Sequence, residues 1–182
     1  LAARKLLLGA ARWGVAYHGT ALSWILWWLK PRLWMGVPWV GGVFLALLAW
    51  VFITVWGAAI GVTWMILMLL VRRWWVLAGW RRVLVGTALW CAVEWVWRRG
   101  SLYWTSLSYT QSPGNLVGVQ LGQLSGPTTI TAGILAVNGL LAAVIWGPAT
   151  MGPKMGWGQK TDYQKAIRRR YGVGAIALFL SF

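Results

Sequence analysis

Carboxylates are nearly missing from this 182-residue chain, which has two acids, Glu94 and Asp162, against seventeen Lys and Arg. It holds one histidine, His18, and one cysteine, Cys91. A single cysteine excludes an internal disulfide and any cysteine zinc cluster. One histidine and two separated acids exclude an all-protein metal cage, so neither a metal nor a cofactor is expected. No phosphate-cradling glycine loop, nucleophile elbow or cysteine–histidine signature is present, and no catalytic residue is assigned to the chain. Cys91 lies in an apolar helical stretch and reads as a buried structural cysteine.

Charge of either sign is also scarce, at 10% of residues, while 59% are hydrophobic and eighteen are tryptophan. The run from Leu33 to Val71 carries no charge, and the run from Gly100 to Pro153 is longer still. A bilayer-spanning helix needs about 20 apolar residues, so these runs exclude ordinary soluble packing. A formal charge of +15 would suggest nucleic acid in a soluble chain. Here the basic residues stand at the ends of apolar runs, where orientation signals and anionic headgroups account for them. The expected partner is a membrane, with no nucleic acid.

The fold class that follows is all-α: a polytopic transmembrane helix bundle forming a single domain over residues 1–182. Spans are expected at about 14–29, 39–71, 83–97 and 116–146, with a truncated fifth at 171–182. Lys30-Pro31-Arg32 ends the first, because proline cannot continue the helical ladder. The second is too long for a perpendicular span and predicts tilt, or a lead-in loop at Met35–Trp39. Gly57 and Gly61, and then Ala132, Ala136, Gly139 and Ala143, set small residues at helical spacing where another helix packs closely. Residues 100–115 lack the apolar length for a span and predict a re-entrant or interfacial stretch at the outer leaflet, and 147–170 a cytoplasmic loop.

Counting charges by side orients the bundle. With the N-terminal end cytoplasmic, thirteen of the seventeen basic residues fall inside, and Lys30, Arg32, Arg98 and Arg99 fall outside. The chain starts at Leu1 rather than Met and stops within the fifth segment while heading outward, which reads as a fragment.

Ionisable and polar groups in such a bundle are costly and point to function or to buried pairing. Glu94 has Arg98 at i+4, the favoured order for a helix ion pair. The alternatives are a structural pair near the outer interface or a group that orients a headgroup or an outer domain. Trp104, Tyr109, Gln111 and Ser112 belong to a polar, aromatic run with Thr105, Ser106, Ser108 and Thr110. They read either as interfacial belt residues or as a lipid and substrate platform. Asn138 is expected in an interhelical hydrogen bond, and His18 as a satisfied core histidine.

The same residues carry a family resemblance. ALWCAVEW at Ala88–Trp95, YWTSLSYTQS at Tyr103–Ser112 and LGQLSGPTTITAGILAVNGLLA at Leu121–Ala142 resemble the membrane portion of bacterial apolipoprotein N-acyltransferases. WGVAYHGTALSW at Trp13–Trp24 and WMGVPW at Trp34–Trp39 extend the likeness over nearly the whole chain. One departure is Trp97, where the family often has Arg three residues after the Glu; here Arg98 comes one later. The resemblance implies eight transmembrane helices and a nitrilase-like periplasmic domain with a Glu-Lys-Cys set. That cysteine takes an acyl chain from phospholipid, and the chain passes to the N-terminal amine of a diacylglyceryl apolipoprotein. None of that set maps onto these residues. The resemblance implies an internal piece of the enzyme, its third to seventh helices, in the bacterial cytoplasmic (inner) membrane. What carries over is a platform of Trp104, Tyr109 and Gln111, with the catalytic C-terminal domain missing. The other readings are a free-standing lipid-binding or scaffold membrane protein, or the membrane domain of another lipid-linked transferase.

Overall fold

The computed structural model describes residues 2–28, 34–74 and 80–146. The loop at 147–170, the fifth segment at 171–182 and the Lys30-Pro31-Arg32 stop lie outside the described residues. Those described are helical or irregular, without a β-strand. They divide into two units: residues 1–74 with 92–105, and residues 75–91 with 106–182.

In the first unit, α1 runs Ala2–Ala21 and, after a turn at Leu22-Ser23, a short α2 covers Trp24–Trp28. The first apolar segment is thus two helices, where one span at 14–29 was expected. The turn is tight: Ser23 N–H donates to Thr20 O at 3.1 Å and Ile25 N–H to Leu22 O at 3.0 Å. α3 spans Trp39–Trp74, 36 residues. At about 1.5 Å per residue that is about 54 Å, against about 30 Å of hydrocarbon in a bilayer. The helix is therefore longer than a perpendicular crossing needs. Its start is set by Gly36, whose φ of 66° suits a residue without a β-carbon. Pro38 directly precedes the helix, and its carbonyl accepts from Gly42 N–H at 2.9 Å.

α1 packs antiparallel on α3 because both helices present small residues at the contact. A β-carbon at Gly14 would lie 2.8 Å from the Ala58 Cα, and one at Gly57 would lie 2.5 Å from His18 Nδ1. A β-carbon at Gly61 would meet Ala10 O at 3.5 Å. The spacing of Gly57 and Gly61 thus does what it predicted. Further along, Trp50 Nε1 donates to Gly19 O at 3.0 Å, and Leu22, Ile25 and Ile53 close the core with Ala49 and Trp50. The antiparallel arrangement brings Arg4 and Lys5 toward the same end of the pair as Arg72.

The division between units passes through α4, Trp80–Trp97. The second unit continues with a 3-10 helix, Leu107–Gln111, then α5 (Leu116–Gln120), α6 (Gly122–Ser125) and α7 (Pro127–Trp146). This corrects the expectation of one span from 116 to 146. The chain bends at Gly126, whose φ of 71° ends α6, and Pro127 opens α7 with its ring preset for a helix. In α7, a β-carbon at Gly139 would lie 2.8 Å from a methyl of Val83, so the small-residue face does pack there.

Among the described residues two helices are long and apolar enough to cross a membrane, Trp39–Arg72 and Pro127–Ile145. Val40, Phe44, Leu48, Val51, Phe52 and Val55 of α3 are exposed. A face this apolar is unsuited to water and compatible with a membrane location.

Candidate functional site

A buried polar cluster forms in the first unit, near the midpoint of α3. Gly57 has no side chain there, and the His18 ring of α1 fills the space. His18 is 1% exposed and shares a hydrogen bond of 2.5 Å between Nδ1 and Thr105 Oγ1. Tyr17 meets the same ring edge-on at 4.9 Å and stacks on Trp13 at 5.3 Å. Glu94, also 1% exposed, accepts a hydrogen bond at 3.3 Å from the Tyr103 hydroxyl. The Tyr103 and His18 rings stand 6.4 Å apart, so the two bonded pairs are neighbours. Thr54 of α3 is buried as well. Neither its hydroxyl nor His18 Nε2 has a hydrogen-bond partner among the described residues. Buried polar atoms left so are uncommon and concentrate where structure serves function.

The backbone at Tyr103–Thr105 is irregular rather than helical, and burial alternates along it. Tyr103 and Thr105 point in and are buried, and Trp104 points out, 46% exposed. The Trp104 indole N–H donates to Ser101 O at 2.8 Å, and its ring lies 6.5 Å from that of Trp24.

In the second unit the polar run forms a capping network. Ser106 caps the 3-10 helix by accepting from Ser108 N–H at 3.3 Å, and Thr110 donates to Leu107 O at 2.7 Å. Asn115 caps α5 by accepting from Gly118 N–H at 2.9 Å, and it donates to Gln111 Oε1 at 2.9 Å. Gln111 Nε2 donates to Thr110 at 3.1 Å. Both ends of the Gln111 amide are therefore engaged within the chain. Tyr109 and Ser112 are exposed.

The residues singled out from sequence are thus sorted by the fold. Glu94, His18 and Trp104 share the first unit, with Arg98 exposed one turn beyond Glu94, its N–H donating to Glu94 O at 2.8 Å. Tyr109, Gln111 and Ser112 belong to the second unit. Asn138 departs from expectation among the described residues: its side chain donates back to Ile134 O of its own helix at 2.8 Å, with no bond to another described helix. Cys91 is half-buried rather than buried, and its thiol lies 3.9 Å from Thr128 O. Sequence reasoning missed Tyr103 as the partner of Glu94 and Thr105 as the partner of His18. The first lies nine residues away across a helix end and the second eighty-seven. The one available signal was the density of hydroxyls after Arg99.

Comparison with known proteins bears on the same residues. The family model described as the apolipoprotein N-acyltransferase N-terminal domain matches residues 2–140. The apolipoprotein N-acyltransferase of Nostoc sp. is 43% identical over 138 residues, 76% of this chain and 27% of that protein. Those of Thermosynechococcus vestitus and Synechocystis sp. are 44% and 37% identical, covering 71% and 74% of this chain and 24% and 27% of theirs. No solved structure matches the chain. The chain spans about a quarter of the length of these curated relatives. The matched region takes in α1, the long α3, the Glu94–Tyr103 and His18–Thr105 pairs and most of α7, and the chain accordingly belongs to the apolipoprotein N-acyltransferase family.

Proposed function

We propose that this chain is a membrane-embedded part of an apolipoprotein N-acyltransferase in the bacterial cytoplasmic membrane. The enzyme moves an acyl chain from a phospholipid to the N-terminal amine of a diacylglyceryl cysteine on an apolipoprotein. This part supplies a lipid-facing platform, and the nucleophile belongs to a nitrilase-like domain elsewhere in the protein. The N-terminal end is cytoplasmic, and residues 100–115 form a re-entrant stretch reached from the outer leaflet.

One observation carries this reading beyond family membership. Irregular backbone at Tyr103–Thr105 is seated near the midpoint of a helix long enough to cross a membrane. Non-helical chain at membrane depth persists only where it is buried in protein or lines a cavity, and here Tyr103 and Thr105 are buried, their side chains bonded to Glu94 of α4 and His18 of α1. Such a structure is costly unless it serves the site. It leaves Trp104 outward, beside the exposed ring of Trp24.

The test uses the full-length enzyme with phospholipid and a diacylated lipopeptide, the triacylated product being read by mass spectrometry. Trp104→Ala is expected to lower kcat/KM for phospholipid at least about tenfold, the range of one lost apolar contact worth 1–3 kcal/mol, with little change in melting temperature. Activity that merely tracks the folded fraction, or full activity with Leu at 104, would reduce Trp104 to a belt residue.

A further inference from the structure

The geometry points to His18 and Glu94 as positioning residues: through Thr105 and Tyr103 they seat the irregular segment so that Trp104 is presented beside Trp24 as a rigid contact for a phospholipid acyl chain. The acyl chain rests on the function proposed above; the seating does not.

The segment is anchored on both sides of its one outward residue. Tyr103 and Thr105 are two residues apart, point inward, and each is hydrogen-bonded to a side chain that is 1% exposed. Buried bonds of this kind cannot be exchanged for bonds to water without loss. With both neighbours pinned, the Trp104 backbone has little freedom left. Its bond to Ser101 O then fixes the indole.

Trp24 is held by the same logic on the other side. It stands between Leu22 and Ile25, 2% and 3% exposed, which lock its turn into the core with Ile53. The two indoles are 47% and 46% exposed, with ring planes 30° apart. Rigid, large aromatic surface binds at low entropic cost because little is ordered on binding. His18 reaches Thr105 only because Gly57 leaves room for its ring. The small-residue contact between α1 and α3 therefore also sets where Trp104 stands.

The seating is tested in membranes with cysteines replacing Trp24 and Trp104 in a Cys91→Ala background and a short bifunctional thiol reagent. The parent pair should cross-link. Thr105→Val and Tyr103→Phe should each slow cross-linking by about fivefold, the factor carried by one ordinary hydrogen bond, and Thr105→Ser should restore it. No cross-link in the parent, or equal rates in all variants, overturns the seating.

In the full-length enzyme with native tryptophans, Thr105→Val should raise KM for phospholipid by about the same factor. It should retain kcat, and Thr105→Ser should return KM to the parent value. An unchanged KM beside slowed cross-linking overturns the assignment to the acyl chain. Loss of kcat in proportion to folded protein would make both pairs structural only. If the unmodified enzyme yields no triacylated product, the proposed function fails, while the cross-linking still decides the seating.

Discussion

Gly57 holds two jobs at one atom's width. A methyl there would overlap the His18 ring, whose Nδ1 and Cγ lie 2.5 and 2.6 Å from the position of a β-carbon. The ring cannot swing away without giving up Thr105. Gly57→Ala is therefore expected to cost about 1–3 kcal/mol, as overpacking of a close contact does. Thermal unfolding in detergent reads that loss. Gly9 is the control: a β-carbon there meets nothing within 4 Å, so Gly9→Ala should be neutral or slightly stabilising. Equal melting temperatures for Gly57→Ala and the parent would show that the helices separate more easily than this packing implies. Gly57 was marked from sequence as a packing residue, because small residues at helical spacing have one dominant use in membranes. Its partner was not legible, since nothing local in the sequence ties His18 to a residue 39 positions on.

At the scale of elements, the stretch from Leu107 to Trp146 shows how polar residues decide where an apolar run breaks. Asn115 closes the N-terminus of α5 and braces Gln111. Gly126 and Pro127 end α6 and begin α7. Asn115→Ala removes the cap and the brace together and should destabilise the 3-10 helix and α5 by about 1 kcal/mol, a typical N-cap loss. Hydrogen exchange at the amides of Gly118 and Val119 should quicken, while the amides of α7 stay protected. Uniform quickening along α7 would mean that the whole run melts as one helix, as its apolar composition alone implied. Composition located the apolar length and missed the break, because hydropathy is blind to the left-handed φ that Gly126 adopts.

On the scale of the whole chain, orientation is proposed from charge. The antiparallel α1 and α3 set Arg4, Lys5 and Arg72 toward one end of their unit, an arrangement compatible with the proposed thirteen-to-four split. With Cys91→Ala as background, Ala3→Cys should resist an impermeant thiol reagent in intact spheroplasts. Gly100→Cys, exposed after α4, should react with it. Labelling at position 3 and not at 100 would reverse the topology proposed here.

Composition, the lengths of the charge-free runs and the placement of arginines were enough by themselves to make this an all-helical chain with helices able to cross a membrane. Those properties follow from transfer energies summed over a segment, and sums do not need a fold. The quoted motifs also carried the family. Pairings decided the rest. Which side chain meets Glu94 or His18, whether Gln111 faces a ligand or its own chain, and whether Asn138 reaches out or back depend on a few ångströms between distant segments. Sequence spacing does not encode those distances. The helices had to pack first, with Gly14 on Ala58 and Gly57 on His18, before Thr105 had a buried partner and Trp104 was turned outward.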